Sequence, residues 1–202
     1  MSIAFDISRR LALRASAFAA ALAVAGASGV SHAVAQAPLD PTTACDDGDD
    51  PTPAQTAGPF FKPRSPRRGR LAEPGMTGTR LTLTGTVLTR ACRPVPQALI
   101  DLWHADAGGA YDNDGFRLRG HVFTDAEGRF RFETIVPGRY PGRTPHLHLR
   151  AQPPNGRILT TQLYFPDEPQ NRRDGLFNPD LLMRMQTGAA GAAARFDIVL
   201  GR

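Results

Sequence analysis

The sequence predicts an all-β fold, a single antiparallel β-sandwich domain with an extended N-terminal arm. Three observations predict it. From Arg80 onward, short runs of β-branched, apolar and aromatic residues alternate with turn residues; at least six such runs follow one another at close intervals; and no convincing amphipathic helix occurs outside the first 35 residues. Leu81, Leu83 and Val87 alternate with threonines, and Ala98-Leu99-Ile100-Asp101-Leu102-Trp103 follows the punctuation of Pro94 and Pro96. Phe130 and Phe132 alternate after an Asp125-Ala126-Glu127-Gly128 turn, and His146-Leu147-His148-Leu149 alternates again. A threonine-rich and aromatic run covers residues 158–165, and Phe196-Asp197-Ile198-Val199-Leu200 closes the chain. A short helix is expected within residues 179–191, weakened by Gly188 and Gly191.

Residues 1–35 read as a twin-arginine-type signal peptide. Ser8-Arg9-Arg10-Leu11-Ala12-Leu13 precedes an alanine-rich apolar run, and Ala33-Val34-Ala35 supplies a small-x-small cleavage site. The alternative is an uncleaved amphipathic helix. The mature chain is expected to begin near Gln36 and to be exported, periplasmic or secreted. The apolar run is too short for a confident membrane span, and nothing later approaches about 18 consecutive apolar residues, so no membrane anchor is read. Residues 36–79 are rich in Pro, Asp and Gly without a sustained period and read as an arm crossing the domain surface, while residues 80–202 form the sandwich core. The motif Gly58-Pro59-Phe60-Phe61 within that arm offers two aromatics to pin it down.

Charge excludes one function class. Loss of Arg9, Arg10, Arg14 and Asp6 with the leader lowers the formal net charge from +5 to +3. The remaining arginines are scattered except for Arg64, Arg67, Arg68 and Arg70, which lie in a Pro/Gly-rich connector and read as a solvated loop rather than a basic face for nucleic acid. The two cysteines, Cys45 and Cys92, form a disulfide in an oxidising compartment or stand as separate thiols; sequence separation leaves both open.

The candidate chemistry centres on His146-Leu147-His148. Strand side chains alternate faces, so a one-residue gap puts both imidazoles on the same side, where they can converge on one ion. Pro137-Gly138-Arg139-Tyr140-Pro141-Gly142-Arg143-Thr144-Pro145 delivers a tyrosine and an arginine just before that strand, and a second tyrosine, Tyr111, follows a Gly108-Gly109 bend. A phenol with a pKa of about 10 is neutral in water, but a ferric ion can hold it as phenolate. A hard trivalent ion prefers anionic oxygen, which makes iron the expected metal.

Across residues 53–170 the ordered motifs Asp101-Leu102-Trp103-His104-Ala105-Asp106-Ala107-Gly108-Gly109-Ala110-Tyr111, Arg119-Gly120, Thr124-Asp125, Gly138 to His148 and Thr160-Thr161-Gln162-Leu163-Tyr164-Phe165 resemble those of the intradiol ring-cleavage dioxygenases. The resemblance implies Fe(III) bound by Tyr111, Tyr140, His146 and His148, with Tyr140 and His148 axial. It further implies a catechol-type small-molecule substrate and O2, both oxygen atoms entering a cis,cis-muconate-type product, with Tyr140 displaced to take up a substrate proton. The metal in that chemistry is a Lewis acid and a template. Arg143 matches the position that stabilises charge developing on the ring, and Gln162 matches a polar residue lining the same pocket. Tyr164 reads as core or rim, and His104 and His121 as hydrogen-bonded structural residues. Where the family's arm often carries glutamate this chain has Ala57. Assembly state stays open, a homo-oligomer among the alternatives.

The rival reading is a non-catalytic, transthyretin-like β-sandwich binding module, which needs the Asp125 turn, the phenylalanines and Pro137-Gly138-Arg139-Tyr140. It does not need His-x-His, Tyr111 or Arg143.

Overall fold

The structure, a computed structural model, describes residues 39–40 and 50–201. The leader read at residues 1–35 and Cys45 lie outside the described residues. Two packed sheets are formed by β1 (Arg80–Thr89), β2 (Leu99–Trp103), β3 (Arg119–Phe123), β4 (Arg129–Ile135), β5 (His146–Gln152), β6 (Leu159–Tyr164), β7 (Arg184–Gly188), β8 (Gly191–Arg195) and β9 (Ile198–Leu200). One sheet has the order β4-β1-β8-β7, with β9 also on β1, and the other has the order β3-β2-β5-β6.

Alternation explains the core. Leu81, Leu83 and Val87 of β1, Phe130 and Phe132 of β4, Ile100 and Leu102 of β2, and Leu147, Leu149 and Ala151 of β5 are buried in one hydrophobic cluster. Each buried aliphatic or aromatic side chain of this kind contributes about 1.5–3 kcal/mol. The opposite face of the four-stranded sheet is set by register: Trp103 pairs with His148 and Arg119, His148 with Gln162, and His146 with Tyr164. Directly paired antiparallel residues share a face. Arg119, Trp103, His148 and Gln162 therefore form one row across the sheet, and His146 and Tyr164 form the next.

The arm covers this face and seals the sheet edges. Gln55 donates its backbone N–H to the Thr160 carbonyl, Arg68 to His121, and Leu71 and Ala72 to Glu133. In this way one segment satisfies groups at the β6, β3 and β4 edges that would otherwise be left unpaired.

Three expectations need correction. The sandwich is not wholly antiparallel, because β8 and β9 both run parallel to β1, against Leu81–Thr84 and Val87–Thr89 in turn. Phe196 and Asp197 do not belong to the closing strand. They bridge β8 and β9 where β1 has Gly85, and a Cβ there would lie 1.9 Å from the Phe196 carbonyl oxygen. The helix expected within residues 179–191 shrinks to a 3-10 turn at Pro179–Leu181, and the rest forms the β7-β8 hairpin. Its alanine-rich second strand has almost no β propensity of its own, so tertiary pairing with β1 decides its conformation. Cys92 is disulfide-bonded.

Candidate active site

Two loops and the arm bring the chemistry to the outer face of β5. The loops holding Tyr111 and Tyr140 interlock through glycines: Gly138 donates its N–H to the Asp106 carbonyl at 2.8 Å. A Cβ on Gly109, whose φ is +86°, would lie 2.1 Å from the Arg139 carbonyl oxygen. Only glycine tolerates both that backbone angle and that approach. From the arm, Phe60 stacks on Tyr111 with ring centroids 4.4 Å apart and meets Tyr140 edge-on at 5.3 Å. Tyr111 and Tyr140 are themselves edge-to-face at 6.1 Å.

His146 and His148 converge as the one-residue gap requires, with their Nε2 atoms 3.1 Å apart. His146 Nδ1 lies 2.7 Å from the Thr144 carbonyl oxygen, which can only accept; that nitrogen therefore carries the proton and Nε2 presents its lone pair. The Tyr111 hydroxyl stands 3.3 Å from the same Nε2. His148 stacks on Trp103 with centroids 5.0 Å apart and planes 3° from parallel. Burial pushes His146 down to about 4 and His148 down to about 2, the latter helped by His146 and Arg143. Both rings are neutral at physiological pH. Burial also pushes the Tyr111 phenol up to about 12, against the pull of Arg143 and Arg119.

Beside them lies a polar network that fixes Arg143. Its Nε donates to both Asp174 carboxylate oxygens at 3.0 and 2.9 Å, and its Nη2 donates to Gln162 Oε1 at 2.6 Å. Gln162 returns its Nε2 hydrogen to the Thr56 carbonyl on the arm at 3.0 Å. Burial acts to raise the Asp174 carboxyl, but the N–H groups of Leu176 and Thr144 and the Arg143 guanidinium outweigh it and hold the carboxyl below the usual range. Tyr164 is fully buried, with its hydroxyl 2.7 Å from Gln55 Oε1 and 2.8 Å from the Leu176 carbonyl.

The donor set fits a hard cation. Two neutral imidazole Nε2 atoms 3.1 Å apart are satisfied either by a proton on His148 Nε2 donated to the His146 lone pair or by one cation bound to both. Two nitrogens bound to one ion at about 2.1 Å each stand close to that separation when their bonds meet near a right angle. His148 Nδ1 is buried with no hydrogen-bond partner, so Nε2 is the nitrogen through which this ring makes its polar contact. Among the described residues no group of three His, Cys, Asp or Glu side chains is placed to hold a metal. An ion here would thus draw on phenol oxygen as well as imidazole, which suits a trivalent metal.

The model of the family described as Dioxygenase matches residues 57–201. The chain belongs to the intradiol ring-cleavage dioxygenase family. It is 37% identical over 118 residues to the protocatechuate 3,4-dioxygenase beta chain of Burkholderia cepacia, covering 50% of each chain. It is 31% identical over 190 residues to hydroxyquinol 1,2-dioxygenase of Nocardioides simplex, covering 75% of this chain and 65% of that one. The chain thus spans between half and two thirds of the length of these curated relatives. Among solved structures, the dioxygenase domain of a dioxygenase carbohydrate-binding protein fusion from the cellulolytic bacterium Streptomyces sp. SirexAA-E superposes with a TM-score of 0.73 at 54% identity, covering 75% of this chain and 98% of that one.

Within this intradiol dioxygenase fold, the side chains singled out in the sequence gather at one place: Tyr111, Tyr140, His146 and His148, with Arg143 and Gln162 beside them. His104 is buried between hydrogen bonds to the Ala105 carbonyl and Thr134, and His121 faces Ser65. Asp174 and Phe60 are the participants that sequence reasoning missed as site residues. Phe60 had a signal, as one of a pair of aromatics in an otherwise polar arm. Asp174 had only an Asp-Gly turn.

Proposed function

We propose that this chain opens catechol-type rings between their two hydroxylated carbons with O2, using Fe(III) held by Tyr111, Tyr140, His146 and His148. The observation that carries the reading is the convergence of two neutral imidazole Nε2 atoms with the Tyr111 hydroxyl beside them, 3.1 and 3.3 Å apart. When bound, ferric iron supplies Lewis acidity that draws the catechol in as a dianion and prepares its ring for oxygen. The protein's own groups do the rest. Tyr140, on the glycine-punctuated loop, would be held as a phenolate by the ion and would leave it as a neutral phenol, accepting one of the two protons the catechol gives up; the second passes to solvent. Arg143, held by Asp174 and Gln162, offers a fixed positive charge to the electron-rich ring carbon. Phe60 and Trp103 exclude water from the donor atoms, and Gln162 joins the pocket wall to the arm.

The test is optical and chemical. Iron-loaded protein is expected to be burgundy, with a band that shifts when catechol is added, and to consume O2 and yield a muconate-type diacid from at least one of catechol, protocatechuate or hydroxyquinol. Arg143→Ala should keep the colour and lower turnover by about 10²–10³-fold. A colourless preparation that contains iron would overturn the ligand set. Export is part of the same reading and rests on the residues before Gln36; a chain that stays in the cytoplasm with Met1 intact would refute it.

A further inference from the structure

Lys62 is the one lysine of a chain that otherwise carries its positive side-chain charge on arginine. It sits half-buried on the arm. Its Nζ donates to the carbonyls of Asn113, Asp114 and Gly115 at 3.0, 3.0 and 2.7 Å, and the Phe116 ring centroid lies 4.7 Å away. Three consecutive carbonyls aimed at one point form a cradle that a tetrahedral ammonium, with three donors, fills completely. A guanidinium spreads its donors in a plane and does not match it.

The rest of this loop is templated by side chains as well. The Asp112 carboxylate accepts from the N–H groups of Asp114, Gly115 and Arg117 at 3.2, 2.8 and 2.8 Å. Buried Arg119 donates through Nε and Nη2 to the Asp112 carbonyl at 3.1 and 2.9 Å, and through Nη1 to the Phe60 carbonyl at 2.6 Å. Lys62 and Arg119 thus bind the arm to the loop immediately after Tyr111, while Phe60, two residues before Lys62, stacks on the Tyr111 ring. The loop lies outside strands and helices, so these cations replace the hydrogen bonds that regular structure would provide.

We propose that Lys62 is a positioning residue for Tyr111: its ammonium gathers the three carbonyls and so fixes the loop that sets the phenol against Phe60. What Tyr111 then does rests on the proposed function; the clamp does not. The first measurement is therefore made on metal-free protein. In Lys62→Met, amide hydrogen exchange across residues 112–118 should rise about tenfold, as expected for losing charge-assisted hydrogen bonds, while β2 and β5 keep their protection. Lys62→Arg, which retains the charge but not the geometry, should also exchange faster than the parent. After iron loading, Lys62→Met should show a shifted or broadened visible band, whereas Arg64→Met, elsewhere on the arm, should match the parent.

Exchange in the loop that stays within twofold of the parent would overturn the proposal, as would full restoration by Lys62→Arg. If Lys62→Met does not accumulate as folded protein, Lys62→Gln, which keeps two donor hydrogens, is read by the same criteria. Raised loop exchange in Lys62→Met, alongside a parent protein that shows no iron colour, would uphold the clamp and sink the ligand assignment, so the two failures are distinguishable.

Discussion

On the five-stranded sheet, side chains turned away from the core, such as Thr82, Thr84, Arg129 and Arg131, stay half-buried or exposed. On the four-stranded sheet, their counterparts Trp103, His146, His148, Gln162 and Tyr164 are all within 4% of complete burial. Both sheets obey the same period-two alternation, and the arm makes the difference. By lying over β2, β5 and β6 it turns a surface into a second interior, one lined with imidazole, phenol, amide and guanidinium instead of leucine. Polar groups taken from water need partners, and here they find them in each other and in the arm's backbone. That second interior holds the proposed site.

The sharpest way to break this comparison uses neighbours on one strand. Leu149→Ala, on the core face, should cost about 2–5 kcal/mol in urea unfolding of the metal-free protein. His148→Gln, on the arm-covered face, should cost about 1 kcal/mol or less there, yet abolish stoichiometric iron binding and turnover. Equal stability losses would mean that the outer face is ordinary core. Asp174→Asn comes next. It removes the charge that seats Arg143 but no metal donor, so iron content should hold while kcat falls by about tenfold to a hundredfold, the scale of a misplaced catalytic group. Loss of iron in that variant would show Asp174 to support the metal site rather than the guanidinium.

Much of this was legible in the sequence for a physical reason. Alternation announces strands, so the His-Leu-His triplet placed both imidazoles on one face before any coordinates, and the glycine bends marked where two tyrosines could be delivered. What stayed hidden depends on long-range placement. Asp174 reaches Arg143 across 31 residues from a loop with no period. The β7-β8 hairpin is specified by its neighbour β1 rather than by its own alanines. The arm was legible as a surface segment with Phe60 and Phe61 to pin it, but its Pro, Gly and Arg residues do not record which sheet it crosses.

A pH titration tests the boundary between the two interiors. His104 sits there, 1% exposed, its ring between the Ala105 carbonyl and Thr134 of β4. Burial pushes it from 6.5 down to about 4. A base whose folded pKa is depressed contributes stability that is present above its unfolded pKa. That contribution is lost as pH falls, because the unfolded chain binds the proton first. Metal-free protein should therefore weaken between pH 6.5 and about 4, with His104 accounting for about 3 kcal/mol of the change. His104→Gln should reduce, without removing, the slope in chemical unfolding followed across that window, because burial depresses His146 and His148 in the same direction. An unchanged slope would assign the loss to other groups.

The smallest expected effect compares arginines on the two outer faces. Arg131 reaches Glu133 at 3.3 Å on the uncovered sheet, with both side chains largely solvated, and exposed pairs of this kind contribute between nothing and about 1 kcal/mol. Arg150, on β5, instead has its guanidinium 3.6 Å from the centroid of Phe61 on the arm. A cation over an aromatic face contributes about 0.5–2 kcal/mol, more as water is excluded. Arg150→Ala should lower stability by about 1 kcal/mol and raise hydrogen exchange across residues 58–62, because it releases one of the arm's fastenings. Arg131→Ala should change stability by less than about 0.5 kcal/mol and leave the arm as it was. If the two substitutions behave alike, the arm's aromatics are not what hold it over the site, and the fastening must lie wholly in backbone bonds such as Gln55 to Thr160.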